Sequence, residues 1–160
     1  MSVAFTREED YEAAAAHLPD RPISPHPNLV TAAGLAQVEA ALSQARAAHA
    51  AAQALGGVQA DRTAMARAVR DLRYWSARRA SARLHEADAT FETLQFGGEA
   101  TVARAGGRTQ TLRIVGEDEA DPASGRVSYV SPIARALLGR EVGDEVKLGA
   151  ETLELLAVGP

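Results

Sequence analysis

Two hydrophobic patterns divide this chain. In the first, between residues 31 and 88, apolar and small residues recur at helical spacing. Leu35, Val38, Leu42, Ala45, His49 and Ala52 follow one another at steps of 3, 4, 3, 4 and 3, the seam of a coiled coil. Thr31 is placed to cap this helix. The run LGGVQ at 55–59 contains adjacent glycines, Gly56 and Gly57, which end a helix readily. Asp61 then caps a second helix, with Met65, Val69, Leu72 and either Trp75 or Ser76 as its apolar face and an end near Asp88. Two helices joined by so short a turn should pack antiparallel.

The second pattern begins near Phe96 and predicts strands. Glu99–Ala103 and Thr109–Val115 read as a hairpin turning at Gly106-Gly107, because alternating apolar residues flank the glycines. Gly116 ends the second strand. The acidic turn 117–121 and Pro122 follow, and a proline cannot continue a ladder. A strand is expected at 126–130. Ser131 is a good N-cap and Pro132 suits the first helical position, so 132–138 reads as a short helix with Ile133, Leu137 and Leu138 on one side and Gly139 as its stop. Gly143-Asp144 turns into Glu145–Leu148, and a last strand covers 152–158. The class is α+β: an N-terminal antiparallel helical hairpin, then a small antiparallel sheet with one short helix. Three regions result: an arm at 1–28, the hairpin at 29–90 with its turn near 55–60, and the sheet domain at 91–160.

Composition narrows the chemistry. The 160 residues include no cysteine, so disulfides and thiolate metal sites are excluded. The four histidines are scattered without ligand spacing. No cofactor, metal site or catalytic residue is expected, no run is apolar enough to cross a membrane, and a cytoplasmic protein is the default. The net charge of −4 disfavours general adhesion to nucleic acid. It conceals a basic second helix, where Arg67, Arg70, Arg73 and Arg78 form the candidate basic face. That face is either solvated or a contact for phosphate or an acidic partner. The arm opens with Thr6 capping an acidic turn, and later places four prolines in LPDRPISPHPN. It is either a poorly ordered extension or a strap packed on the molecule or a partner.

The run RIVGEDEAD-PASGRVSYVSPIARALLGREVGDEV, residues 113–146, resembles the carboxy-terminal domain of the bacterial Gre transcript-cleavage factors. The strand exit, the S-P helix start, the I-A-R-A-L-L-G helix and the V-G-D turn come in the same order and at matching spacing. The likeness covers about 96–158 well and 31–88 in outline. It implies an FKBP-like domain that docks at the rim of the RNA polymerase secondary channel. Val130, Ser131, Pro132, Ile133 and Arg135 fall at the implied docking positions. It also implies a coiled coil that enters the channel, close to RNA and DNA in the complex. In the family, acidic residues at the coiled-coil tip, in a motif like G-D-L-S-E-N-A-E-Y, help hold a catalytic magnesium. Here the corresponding stretch is AAAQALGGVQADR. Its alanines and glutamines cannot hold a hard cation, and its one carboxylate, Asp61, has helix capping as its simplest role. Each arm also lacks roughly six to ten residues of the family pattern, a shortfall of ~9–15 Å at the tip.

The expectation is therefore a polymerase-binding regulator, not itself an enzyme, that does not stimulate cleavage. Three alternatives remain. One is a cleavage factor with a rearranged tip using Asp61. Another is a peptidyl-prolyl isomerase of the FKBP-like fold, which would need an aromatic-lined pocket where this domain offers Phe96 and Tyr129. The last is a nucleic-acid-binding module working through the basic helix.

Overall fold

The computed structural model describes residues 18–56, 61–88 and 92–160. In chain order the elements are β1 (Leu29–Val30), α1 (Ala32–Ala54), α2 (Arg62–Ser81), β2 (Arg83–Leu84), β3 (Glu99–Ala103), β4 (Thr109–Val115), β5 (Arg126–Ser128), α3 (Pro132–Leu137), β6 (Glu145–Leu148) and β7 (Glu151–Gly159). They fall into two compact units, Met1–Pro25 with Val38–Ser81, and His26–Gln37 with Ala82–Pro160.

The hairpin unit follows the seam. Val38, Leu42 and Ala45 are buried, and His49 and Ala52 half-buried. On α2, Ala68 is buried, Met65, Val69, Leu72 and Trp75 are half-buried, and Ser76 faces solvent. Trp75 therefore takes the inward place. Glu39 near the start of the hairpin pairs with Arg79 near its end, 2.9 Å apart, as antiparallel arms require. The strap from Leu18 to Pro25 is anchored on α2. The Arg21 guanidinium lies 3.8 Å from the centroid of the Tyr74 ring, a cation–π contact, and pairs with Asp71, while Asp20 pairs with Arg73. Over these residues the arm is a strap, not a loose extension. The acidic turn and alanines of residues 7–17 lie outside the described residues, as does Gly57.

Helix α2 ends at Ser81, earlier than its expected end near Asp88. The Ser81 hydroxyl donates back to the Ala77 carbonyl, and the chain beyond is captured by a strand. The Arg83 and His85 amides donate to the Asn28 and Val30 carbonyls at 2.8 and 3.0 Å, so β1 and β2 form a short parallel pair.

In the sheet unit the strand order is β5-β4-β3-β7-β6. β3 pairs antiparallel with both β4 and β7, and β6 antiparallel with β7. β5, however, runs parallel to β4, correcting the expectation of a wholly antiparallel sheet. The chain returns over 116–125, through a short helical turn at Pro122–Ser124, before β5 begins, since parallel neighbours cannot be joined by a tight hairpin. β5 also stops at Ser128 rather than 130, because Tyr129 and Val130 turn to deliver Ser131 to its cap. One face of the sheet buries Val102, Leu112, Ile114, Leu153 and Leu155, and α3 packs into the same core through Ala134 and Leu137. Ile133 and Leu138 are only half-buried. The expected helical side is thus rotated onto Ala134 and Leu137.

Candidate functional site

The corner between β5 and α3 is built by capping. Ser131 has extended backbone angles, and its Oγ accepts the Ala134 amide at 3.3 Å. The Ser131 amide itself donates to the Ser128 carbonyl. Pro132 occupies the first turn, where a missing N–H costs no bond. The sequence thereby presents Pro132 and Arg135 to solvent, with Val130 and Ile133 half-buried beside them. These positions are consecutive along the β5–α3 corner, partly apolar and carrying one cation. It can serve as a contact surface and has no group placed for bond-breaking chemistry.

Tyr129 supports the corner from behind. Its ring meets Phe96 edge-to-face at 5.7 Å, and Phe96 meets His85 at 5.7 Å. The Tyr129 hydroxyl donates to the Pro27 carbonyl. The two aromatics weighed for an isomerase pocket are thus packed on one another, with Phe96 buried.

At the hairpin tip, Asp61 is a cap. Its Oδ1 accepts the Thr63 and Ala64 amides at 2.9 and 3.0 Å. Gly56 closes the other arm by donating to the Gln53 carbonyl. Among the described residues no group of three or more His, Cys, Asp or Glu is placed to hold a metal ion. Asp61→Ala is expected to lower the stability of the hairpin by about 1 kcal/mol, the usual worth of an N-cap. Amide exchange in the first turn of α2 would show it, and unchanged exchange at Thr63 and Ala64 would refute the capping role.

The basic face is less open than its sequence suggests. Arg67 and Arg73 are exposed, but Arg73 is paired with Asp20 at 3.2 Å and Arg70 with Asp71 at 3.4 Å. Arg78, expected on the outward face, is only 2% exposed. It lies three residues after Trp75 and so falls on the apolar stripe, where helical geometry turns it inward.

The acidic turn holds a site that sequence reasoning missed. Glu119 is 6% exposed rather than solvated. Its Oε2 accepts the Thr31 hydroxyl at 2.6 Å, and Thr31 Oγ1 in turn accepts the Gly34 amide at 3.0 Å. A Cβ at Gly34 would lie 2.5 Å from Glu119 Oε2, so a larger residue there would push the carboxylate off Thr31. The run of carboxylates ahead of Pro122 gave no sign that one of them would meet a residue 88 positions away. Two residues on, Asp121 is half-buried and its carboxyl is held below its ordinary range. The main cause is the hydrogen bond from Ser124, with the Arg126 charge adding to it.

Comparison with known proteins gives these elements a context. Residues 89–157 match the family described as transcription elongation factor, GreA/GreB, C-term. Transcription elongation factor GreA of Hyphomonas neptunium is 46% identical over 70 residues, covering 41% of this chain and 45% of that protein. Transcription elongation factor GreB of Neisseria meningitidis is 45% identical over 67 residues, covering 39% and 41%. The matched part thus spans less than half the length of these curated relatives. Among solved structures, GreA factor homolog 1 of Thermus thermophilus aligns over 84% of this chain and 100% of its own, at 19% identity and a TM-score of 0.38. Residues 89–157 are thus similar to the carboxy-terminal domain of the GreA/GreB transcription elongation factors, and the likeness to curated relatives is confined to that part of the chain.

Proposed function

We propose that this chain binds bacterial RNA polymerase at the rim of the secondary channel through its carboxy-terminal domain, and does not stimulate transcript cleavage. The family of residues 89–157 supports the partner. The Ser131-Pro132 corner, rigid by capping and open to solvent, supplies a surface for docking. The observation that carries the second half is at the tip. From Ala50 to Arg62 the sequence holds a single carboxylate, Asp61, and its Oδ1 is engaged by two α2 amides. Magnesium is ordinarily held through one or two carboxylates with near-ideal octahedral geometry, and a lone capping carboxylate is a poor start. The arms are also short: 23 and 20 residues reach about 35 and 30 Å at the helical rise. On this reading the protein is not an enzyme. It acts by occupying the channel, in the cytoplasm where polymerase works, and touches RNA or DNA only indirectly. No helix among the described residues is long and apolar enough to cross a membrane.

The test is retention by immobilised core polymerase. Ser131→Asp with Pro132→Ala keeps a good N-cap but adds an anion and removes the apolar ring. A loss of about tenfold is expected, the scale of a hot-spot change. Failure of the unaltered protein to bind would remove the reading. In a backtracked complex, cleavage should stay at the intrinsic rate. Cleavage above that rate, abolished by Asp61→Asn, would instead establish a cleavage factor with a rearranged tip.

A further inference from the structure

Strand β6 is the last strand of the five-stranded sheet, with β7 on one side and its other edge open. Such an edge offers a row of N–H and C=O groups to any strand that fits it. The Leu155 amide donates to the Asp144 carbonyl at 2.9 Å. Backbone groups alternate between the two sides of a strand. Asp144, Val146 and Leu148 therefore turn theirs toward β7, and Glu145 and Lys147 turn theirs to the open edge. We propose that this edge pairs antiparallel with the same edge of a second copy of this chain, about a two-fold axis at Val146.

Three observations carry the proposal, and none depends on polymerase binding. The first is register. With Val146 facing its own counterpart, Glu145 lies opposite Lys147 of the second copy, and Lys147 opposite Glu145 of the second copy. These are the residues whose backbone groups face the open edge, so each opposed pair can exchange N–H···O bonds as an ordinary antiparallel ladder does. The second is charge. Val146 and Leu153 are register partners and both are buried. Glu145 and Lys147 therefore lie on the other face of the sheet, where both are exposed. Residues directly opposed in an antiparallel pair share a face, so each glutamate meets a lysine and each lysine a glutamate. A lone lysine on an edge repels its own copy and guards the strand. A glutamate two positions before it makes this edge complementary to itself. Moving the axis to Glu145 or to Lys147 would set like charges face to face, and a slip of one residue would set Val146 against a charge. The third is a repulsion within the sheet. Glu145 is the register partner of Glu154 on β7, and both are exposed on the same face. Opposed carboxylates destabilise an antiparallel pair. This pair follows the Leu155–Asp144 hydrogen bond and so sits at a non-hydrogen-bonded position, where side chains come closest. Lys147 of the second copy brings a cation to Glu145 from the side away from Glu154.

The test is analytical ultracentrifugation of the full chain from about 10 μM to about 1 mM, the range suited to a small, weak contact. The unaltered protein should pass reversibly from monomer to dimer. Glu145→Lys sets lysine against lysine and should weaken association by about tenfold, from two lost ion pairs and two new repulsions. Lys147→Glu should do the same. Mixing the two variants should restore a dimer with one copy of each, and Glu145→Lys with Lys147→Glu in one chain should restore the dimer of like copies. Glu145→Lys also removes the repulsion from Glu154, so at low concentration its urea midpoint should hold or rise, and a lost dimer would not signal a lost fold. An unaltered protein that stays monomeric throughout, or a dimer indifferent to the charge changes, would each overturn the proposal. The second result would assign self-association to another face.

Discussion

Leu137→Ala is expected to cost the sheet unit about 2–5 kcal/mol, the range for emptying a fully buried leucine site. Leu137 is 0% exposed and sits among the sheet residues of the core. Helix α3 has only six residues, too few to persist without tertiary contacts. Ala134 and Leu137 are its buried residues, and Ala134 has little side chain to lose. Truncating Leu137 therefore releases the helix as well as opening a cavity. A domain's whole stability is about 5–15 kcal/mol, so the urea midpoint should fall far. The Ser131 corner should lose its shape with it, and retention by immobilised core polymerase should drop in parallel. Leu137→Met nearly conserves volume and should cost less than about 1.5 kcal/mol. Equal effects from the two changes would mean that α3 is not held by packing at this site.

Gly116→Ala is the second large effect, expected at about 1–3 kcal/mol through overpacking. A Cβ there would collide with the Leu29 carbonyl oxygen, which belongs to backbone and cannot rotate away. The strain falls on β1, and β1 holds β2. The Arg83 and His85 amides, bonded to Asn28 and Val30, should exchange faster in the variant. The Thr101 and Thr111 pairing in mid-sheet should stay protected. Uniform loss of protection across both regions would show instead that the unit unfolds as a whole.

Much of this architecture was legible wherever the determinants are local. The bounds of β3, β4 and β6 follow from alternation and glycine turns. Thr31, Asp61 and Ser131 cap helices as their side chains allow, and the 3–4 seam places Val38, Leu42 and Ala45 inside. What escaped was non-local. The parallel partner of β5, the pairing of β1 with β2, and the reach of Glu119 to Thr31 each join segments whose own sequences carry no mark of the other. Arg78 was misread for a different reason: residue type was allowed to outweigh its position on the stripe. The corner at Val130, Ser131, Pro132, Ile133 and Arg135 was legible because a cap and a proline write its geometry directly. Its backing by Tyr129 on Pro27 was not, since 102 residues separate them.

The pairing of β1 with β2 also bears on how such a chain can vary. The helical arms leave the fold at Val30 and return at Arg83, and these two points belong to adjacent strands, about 5 Å apart as strands in a sheet are. Thr31 and Gly34 are still held by Glu119, and the segment Val38–Ser81 beyond them forms a unit of its own. Beyond the contacts of the strap on α2, arm length can change without moving those ends. Adding or removing whole heptads in both arms preserves the seam and changes reach by about 10 Å per heptad, while the β1–β2 clasp keeps the same ends. The clasp lets length be added toward the tip while the ends of the hairpin stay paired.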